Sequence, residues 1–331
     1  MKSTGLCSCA AALVAAVLAA APAWADPSAE GVTVTVAPAE ARPGDPVLVT
    51  VLGSAQTPKG KAAGKDLSFF AVRGGHQALF AVPMDRKPGE LAIELRGGLP
   101  RQVVPVVAHE FPAADVTVPD EYANPPPEAR KRIDDDNRAI RKAFGKPGDP
   151  PQFRGDFKQP VAGGRPTSPF GEQRTFNAVA KSQHLGLDVT ARTGAKVKAI
   201  GDGTVVLVRS CFLPGNVVVV DHGAGIASAY FHLQLASVVE GDIIKRGTQV
   251  GRAGQTGRAT GPHMHLSVWV PGGFVDPATF FRLPFRPPVV EPAPVPDAVS
   301  AGAVDPAPAK KASYKSRKKT TKSPAKKKSA K

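Results

Sequence analysis

Cysteine is scarce in this chain: three in 331 residues, with Cys7 and Cys9 near the start and Cys211 far from both. Loss of the N-terminal segment would leave Cys211 alone, so no intramolecular disulfide could then form. A lone thiol without a second cysteine nearby is also a poor start for a thiolate zinc site. Long apolar runs are nearly absent too. One stretch, Leu6–Ala21, is small-residue rich and short for a membrane span. With Lys2 before it and Ala23-Trp24-Ala25 behind it, residues 1–25 read as a secretory signal peptide cleaved ahead of Asp26. The expected mature chain is exported and soluble, in the periplasm or in the extracellular space and cell wall. Acid is missing from the C-terminal end. Lys310–Lys331 carries eleven Lys or Arg and no Asp or Glu, so it holds most of the net charge of +15. The remainder is only mildly basic, which weakens any case for a polyanion-binding folded part.

Between these ends the chain reads as mostly β. Over residues 31–110, Val32, Val34 and Val36 alternate with Thr33 and Thr35, and Pro43-Gly44-Asp45 turns into Val47-Leu48-Val49-Thr50-Val51. Short runs follow at intervals broken by Gly or Pro, which predicts a small β-sandwich-like domain. It could serve as a binding module, a spacer or a lid. Residues 111–151 form an expected linker with one helix, Glu128–Phe144, stopped by Gly145 and the prolines beyond. Residues 152–283 form a second β-rich domain. Here Gly201-Asp202-Gly203 predicts a hairpin between Lys196–Ile200 and Thr204–Val208. Residues 284–331, Pro- and Ala-rich and then Lys-rich, are expected to be disordered.

Four of the seven histidines fall in three strings: His184-Leu185-Gly186-Leu187-Asp188, Tyr230-Phe231-His232-Leu233 and Gly261-Pro262-His263-Met264-His265. On a strand, i and i+2 share a face, so His263 and His265 can enter one cleft. His184 and Asp188 share a face whether the segment is a helix or a strand, and Gly186 favours a strand or bend. Singly, each string has an ordinary explanation as solvated or structural polar residues. Together, imidazoles and a carboxylate form a zinc-type donor set with histidines to spare for proton transfer. Spacing alone leaves open which member of the H-x-H pair is a ligand. His76 and His109 stand isolated, and His222, beside Gly223, is assigned to a turn.

The ordered strings H-x-x-x-D, Y-x-H-L and G-x-x-x-G-P-H-x-H resemble the lysostaphin-type (LytM-domain) zinc metallopeptidases. The likeness runs over residues 165–281, including Ser168-Pro169-Phe170-Gly171 and Phe274-Val275-Asp276-Pro277. The resemblance implies an antiparallel β metallopeptidase domain with an open groove. It implies Zn²⁺ on His184, Asp188 and His265, with His232 and His263 as the catalytic pair: a general base and a stabiliser of the oxyanion. The substrate it implies is a stem or bridge peptide of peptidoglycan. One departure stands out. Leu266-Ser267 replaces the usual Phe-Glu, with an expected effect on the ligands' support or the groove's shape. A non-catalytic relative that binds the wall and activates a separate amidase is the competing expectation, and it is disfavoured because all five positions are filled. For the tail, Ser323-Pro324-Ala325-Lys326-Lys327-Lys328 resembles linker-histone tails. In an exported chain the expected partners are anionic envelope polymers or lipids, with no specific nucleic acid.

Overall fold

The computed structural model describes residues 31–145 and 149–289. The expected signal peptide and the Lys-rich tail lie outside the described residues. The N-terminal strands are β1 (Thr33–Ala37), β2 (Pro46–Leu52), β3 (Gly60–Ala62) and β4 (Lys65–Asp66). It continues with β5 (Phe69–Val72), β6 (Gly75–Ala81), β7 (Gly89–Leu95) and β8 (Gln102–Val106). Two antiparallel sheets result, ordered β1-β2-β6-β5 and β4-β3-β7-β8. Val47 and Val49 meet Phe80, Leu91, Ile93 and Val104 between them. The other face of β2, β5 and β6 does not see water. Leu48, Phe70, Val72 and Leu79 share one core with Phe153, Phe157, Phe280 and Phe285 from later in the chain. Burial on both faces explains why Val47–Val51 is a nearly continuous apolar run and not an alternating one.

Residues 284–289, expected to be disordered, are instead built into this core. Phe285 is buried, and Gln77 bonds both the Pro284 carbonyl, at 3.1 Å, and the Arg286 N–H, at 3.0 Å. Val289 N–H donates to the Ala71 carbonyl and Arg73 N–H to that of Pro287, extending the edge at β5. A six-residue segment held by one aromatic anchor shows no periodicity, so composition alone misplaces it.

The expected linker is likewise structured. β9 (Ala113–Val116) pairs in parallel with β11 (Gln173–Phe176), outside the order of the main sheet. After the short α1 (Asp120–Ala123) comes α2 (Pro127–Lys142), with Pro127 in its first turn and Arg141 and Lys142 in its last. Buried Asp136 accepts from Arg209 Nε at 2.7 Å and from the Phe212 N–H at 2.8 Å. Beyond the helix, Phe144 stacks on Trp269 at 4.9 Å.

Further along come β10 (Pro166–Ser168), β11, β12 (Ala180–Gln183), β13 (Leu187–Thr190) and β14 (Lys196–Lys198). Then come β15 (Gly203–Cys211), β16 (Gly215–Gly223), β17 (Ile226–Ala236) and β18 (Ile243–Ile244). β19 (Gln249–Ala253), β20 (His263–Val270), β21 (Gly273–Val275) and α3 (Pro277–Phe280) complete it. The main sheet runs β10-β13-β20-β17-β16-β15-β18, with β14-β19 attached through β17 and β21 on β20. Val218, Val220, Tyr230, Met264 and Leu266 face the large core; Val217, Val219, Ala229 and Phe231 face α2.

Two expectations fail here. The hairpin across Gly201-Asp202-Gly203 does not form, since β14 pairs with β19 and β15 with β16 and β18. A two-residue Asp-Gly turn needs positive φ, which neither Asp202 nor Gly203 adopts. Gly203 instead allows close packing, as a Cβ there would lie 2.3 Å from the Asp221 carbonyl oxygen. His222 is no turn residue either. It is fully buried in β16, with Nδ1 donating to the Asp202 carbonyl and Nε2 at 2.8 Å from Ser228 Oγ.

Candidate metal centre

Three neighbouring strands assemble the site. Asp188 on β13 pairs with His265 on β20, and His265 pairs with Phe231 on β17. His184 stands on the bend before β13. Gly186 lets that bend lie against β20, since a Cβ there would come within 2.6 Å of His265 Nε2. Strand alternation puts His263 beside His265 on one face. The same alternation would turn His232 away from its neighbour Phe231. A φ of +56° at His232 reverses this and brings its ring to 4.9 Å from His263 and 6.1 Å from His265, centre to centre. Such backbone costs about 1–3 kcal/mol and persists where the surroundings enforce it. Here the His232 N–H donates to Pro214 and its ring to Thr256. The five predicted residues therefore meet in one place. His76 lies in the first domain, within 3.4 Å of Thr57, and His109 packs edge-on against Phe111.

Hydrogen bonds outside the cluster fix each imidazole's tautomer. His184 Nδ1 donates to the Pro169 carbonyl at 2.7 Å, leaving Nε2 with a lone pair. Ser267 Oγ donates to the Leu185 carbonyl at 2.7 Å and so accepts from His265 Nε2 at 3.0 Å, leaving the lone pair on Nδ1. These two nitrogens are 2.8 Å apart, and each is within 3.0 Å of Asp188 Oδ1. Three acceptors thus converge with no proton between them. Lone pairs at such distances repel unless a cation sits among them, and His184, Asp188 and His265 could hold a metal ion. Two imidazoles and a carboxylate suit zinc. His232 Nδ1 donates to Thr256 O and His263 Nδ1 to Gly261 O, both at 2.8 Å, so each keeps a free Nε2.

The electrostatics agree. Asp188 is buried, and its Oδ1 faces the two unprotonated imidazole nitrogens. Its other oxygen, Oδ2, takes Arg174 Nη2 at 2.7 Å, and Arg174 is held in turn by Glu172. Burial pushes His265 down to about 4 and His232, helped by repulsion from His263 and His265, down to about 3. His232 and His265 are therefore neutral near pH 7. Arg258 lies 3.8 Å above the Phe176 ring, lowered to about 10 by burial and then by Arg174. Sequence reasoning missed Arg174, Thr256 and the Pro169 carbonyl. Of these only Pro169 lay in a string already marked, Ser168-Pro169-Phe170-Gly171.

Residues 182–277 match the model for peptidase family M23. The match covers under a third of the chain, and over that stretch the chain is similar to this family of peptidases. It is 38% identical over 111 residues to the peptidoglycan DD-endopeptidase ShyB of Vibrio cholerae, covering 33% of this chain and 26% of that protein. It is 33% identical over 129 residues to the DD-carboxypeptidase/endopeptidase Mpg of Neisseria meningitidis, covering 39% and 30%. The chain thus spans only about a quarter to a third of the length of these curated relatives. A putative peptidase M23 from Pseudomonas aeruginosa, solved by crystallography, superposes over 73% of this chain and 95% of that one. Its TM-score is 0.55 and its identity 29%.

Proposed function

We propose that this chain is an exported zinc-dependent endopeptidase that hydrolyses peptide bonds in peptidoglycan. The observation that carries the proposal is the convergence of three acceptor atoms, His184 Nε2, Asp188 Oδ1 and His265 Nδ1, with both tautomers fixed from outside. A zinc ion bound there would supply Lewis acidity, acidifying a ligated water to a pKa of about 7 and polarising the scissile carbonyl. The chain's own residues do the rest. His232 and His263 each turn Nε2 towards this point, and His263 Nε2 is 3.7 Å from Asp188 Oδ1. One accepts the proton of the attacking water and delivers it to the leaving amine. The other stabilises charge on the carbonyl oxygen once its Nε2 carries a proton. Arg174 occupies Oδ2 of Asp188, which leaves Oδ1 to face the cluster.

The names of the V. cholerae and N. meningitidis relatives make the D,D cross-link the first bond to test. A non-catalytic wall-binding regulator would not need five positioned side chains, and nothing in the geometry favours that reading. Export rests on the signal-like residues 1–25; among the described residues no helix is long and apolar enough to cross a membrane. Digestion of purified wall by the zinc-loaded protein and by His265→Ala, with products identified by mass, tests the proposal. Equal release by the two would overturn the metal assignment. An N-terminus found at Asp26 in the exported protein would support the cleavage site.

A further inference from the structure

A groove of about 1030 Å³ opens from His263, bounded by Val161–Gly164 on one side and by Thr193 and Ala195 on the other. Its charge is one-sided. Arg165 and Arg192 both line it, and none of its lining residues is acidic. Both arginines are exposed, and among the described residues neither guanidinium has a carboxylate within 4.0 Å. Their bases are held by the strands that hold the site. Thr190 pairs with His263 across β13 and β20. On its other side Thr190 N–H donates to the Arg165 carbonyl at 2.9 Å, and Thr190 Oγ1 accepts from the Arg165 N–H at 3.0 Å. Arg165 therefore starts two strand spacings, about 10 Å, from His263. Arg192 follows Thr190 by two residues.

We propose that Arg165 and Arg192 form a carboxylate-binding subsite, selecting peptides with an acidic group two to four residue lengths from the bond that is cut. The spacing follows from geometry. Strands advance about 3.3 Å per residue, so about 10 Å of strand separation corresponds to about three extended residues of substrate, which the direction of the arginine side chain shifts by about one either way. Arginine suits the task, since its planar fork meets a carboxylate with two parallel hydrogen bonds. Binding there does not change between ground and transition states, so the subsite acts on KM and leaves kcat alone. This subsite rests on the peptidase reading for its substrate, a stem peptide that carries free carboxylates.

The test compares full-length zinc-loaded protein with Arg165→Ala/Arg192→Ala and with Arg130→Ala, an exposed control on α2. Two probes are used: a cross-linked stem-peptide dimer purified from wall, and the same dimer with its carboxylates amidated. Equilibrium binding and steady-state cleavage are both measured, with zinc content as a check of the fold. The expected result is about a tenfold or greater rise in Kd and KM for the acidic dimer in the double variant, as for loss of a charge-assisted contact. The kcat and zinc content should stay within about twofold, and the amidated dimer should bind both proteins equally weakly. An unchanged KM and Kd, or equal losses on both dimers, would overturn the subsite. Charge-dependent binding without any cleavage would keep the subsite and reject the peptidase reading.

Discussion

Ser267→Ala is the most informative single change near the metal centre. Ser267 is 3% exposed, and its hydroxyl links the His265 Nε2–H to the Leu185 carbonyl. Alanine removes one acceptor and one donor with no room for bulk water. The two buried groups left behind cost about 1–3 kcal/mol each at most, and part of this is recovered as the site relaxes. A net loss of about 2 kcal/mol lowers Tm by roughly 4–8 °C in a domain of this size. The larger effect falls on the metal. Without Ser267 nothing holds the proton on His265 Nε2, so the tautomer protonated at Nδ1 competes and blocks the ligand atom. Loss of such an outer hydrogen bond weakens metal binding about 10- to 100-fold. Competition for zinc against a chromophoric chelator reads this directly, with the melting curve of the metal-free protein as control for folding. Zinc affinity within about twofold of wild type, in a folded variant, would refute the tautomer argument and with it the role given to Ser267.

Other consequences follow from the same geometry. His232→Ala and His263→Ala should keep bound zinc yet lose turnover on wall peptides by about 10²–10⁴-fold, whereas His184→Ala should lose the metal itself; zinc analysis beside product release separates the two classes. His222, with a folded pKa of about 4 because burial opposes its charge, is protonated more readily in the unfolded chain. Stability should therefore fall as pH drops from about 6.5 towards 4, by up to roughly 3 kcal/mol from this residue. His222→Asn should flatten the dependence of Tm on pH in that window even though its Tm at neutral pH is lower. Asp136→Ala strips α2 of its bonds to Arg209 and Phe212 and should lower the urea midpoint by an amount equivalent to about 2 kcal/mol. An unchanged midpoint would show that the aromatic contacts of Phe144 suffice.

The strings around His184, His232 and His265 were legible because metal chemistry restricts residue types so severely, and strand alternation told correctly that His263 and His265 share a face. Alternation also misleads at His232, where only a positive φ brings the ring round, and no residue type announces that conformation outside glycine. Asp202-Gly203 carried a hairpin signal that the fold does not use, because the glycine serves close packing against Asp221. Val47–Val51 was legible as a strand, but its second buried face depends on Phe153, Phe157 and Phe285 from distant parts of the chain. Phe285 itself was lost in a Pro-rich stretch. Arg174 was invisible for a related reason: its carboxylate partner is Asp188, reached only once β11 and β13 are folded against each other.

The central claim is that three acceptor atoms fixed by outside hydrogen bonds hold one zinc ion that serves peptide hydrolysis. Zinc stoichiometry measured beside the release of muropeptides from purified wall, in wild type and His265→Ala, tests it most directly. The account predicts one zinc per wild-type chain and mass-identified cleavage of cross-linking peptide bonds, with both lost in the variant. Wild-type protein that releases wall peptides without bound zinc, or a variant that matches it in both readouts, would contradict the account.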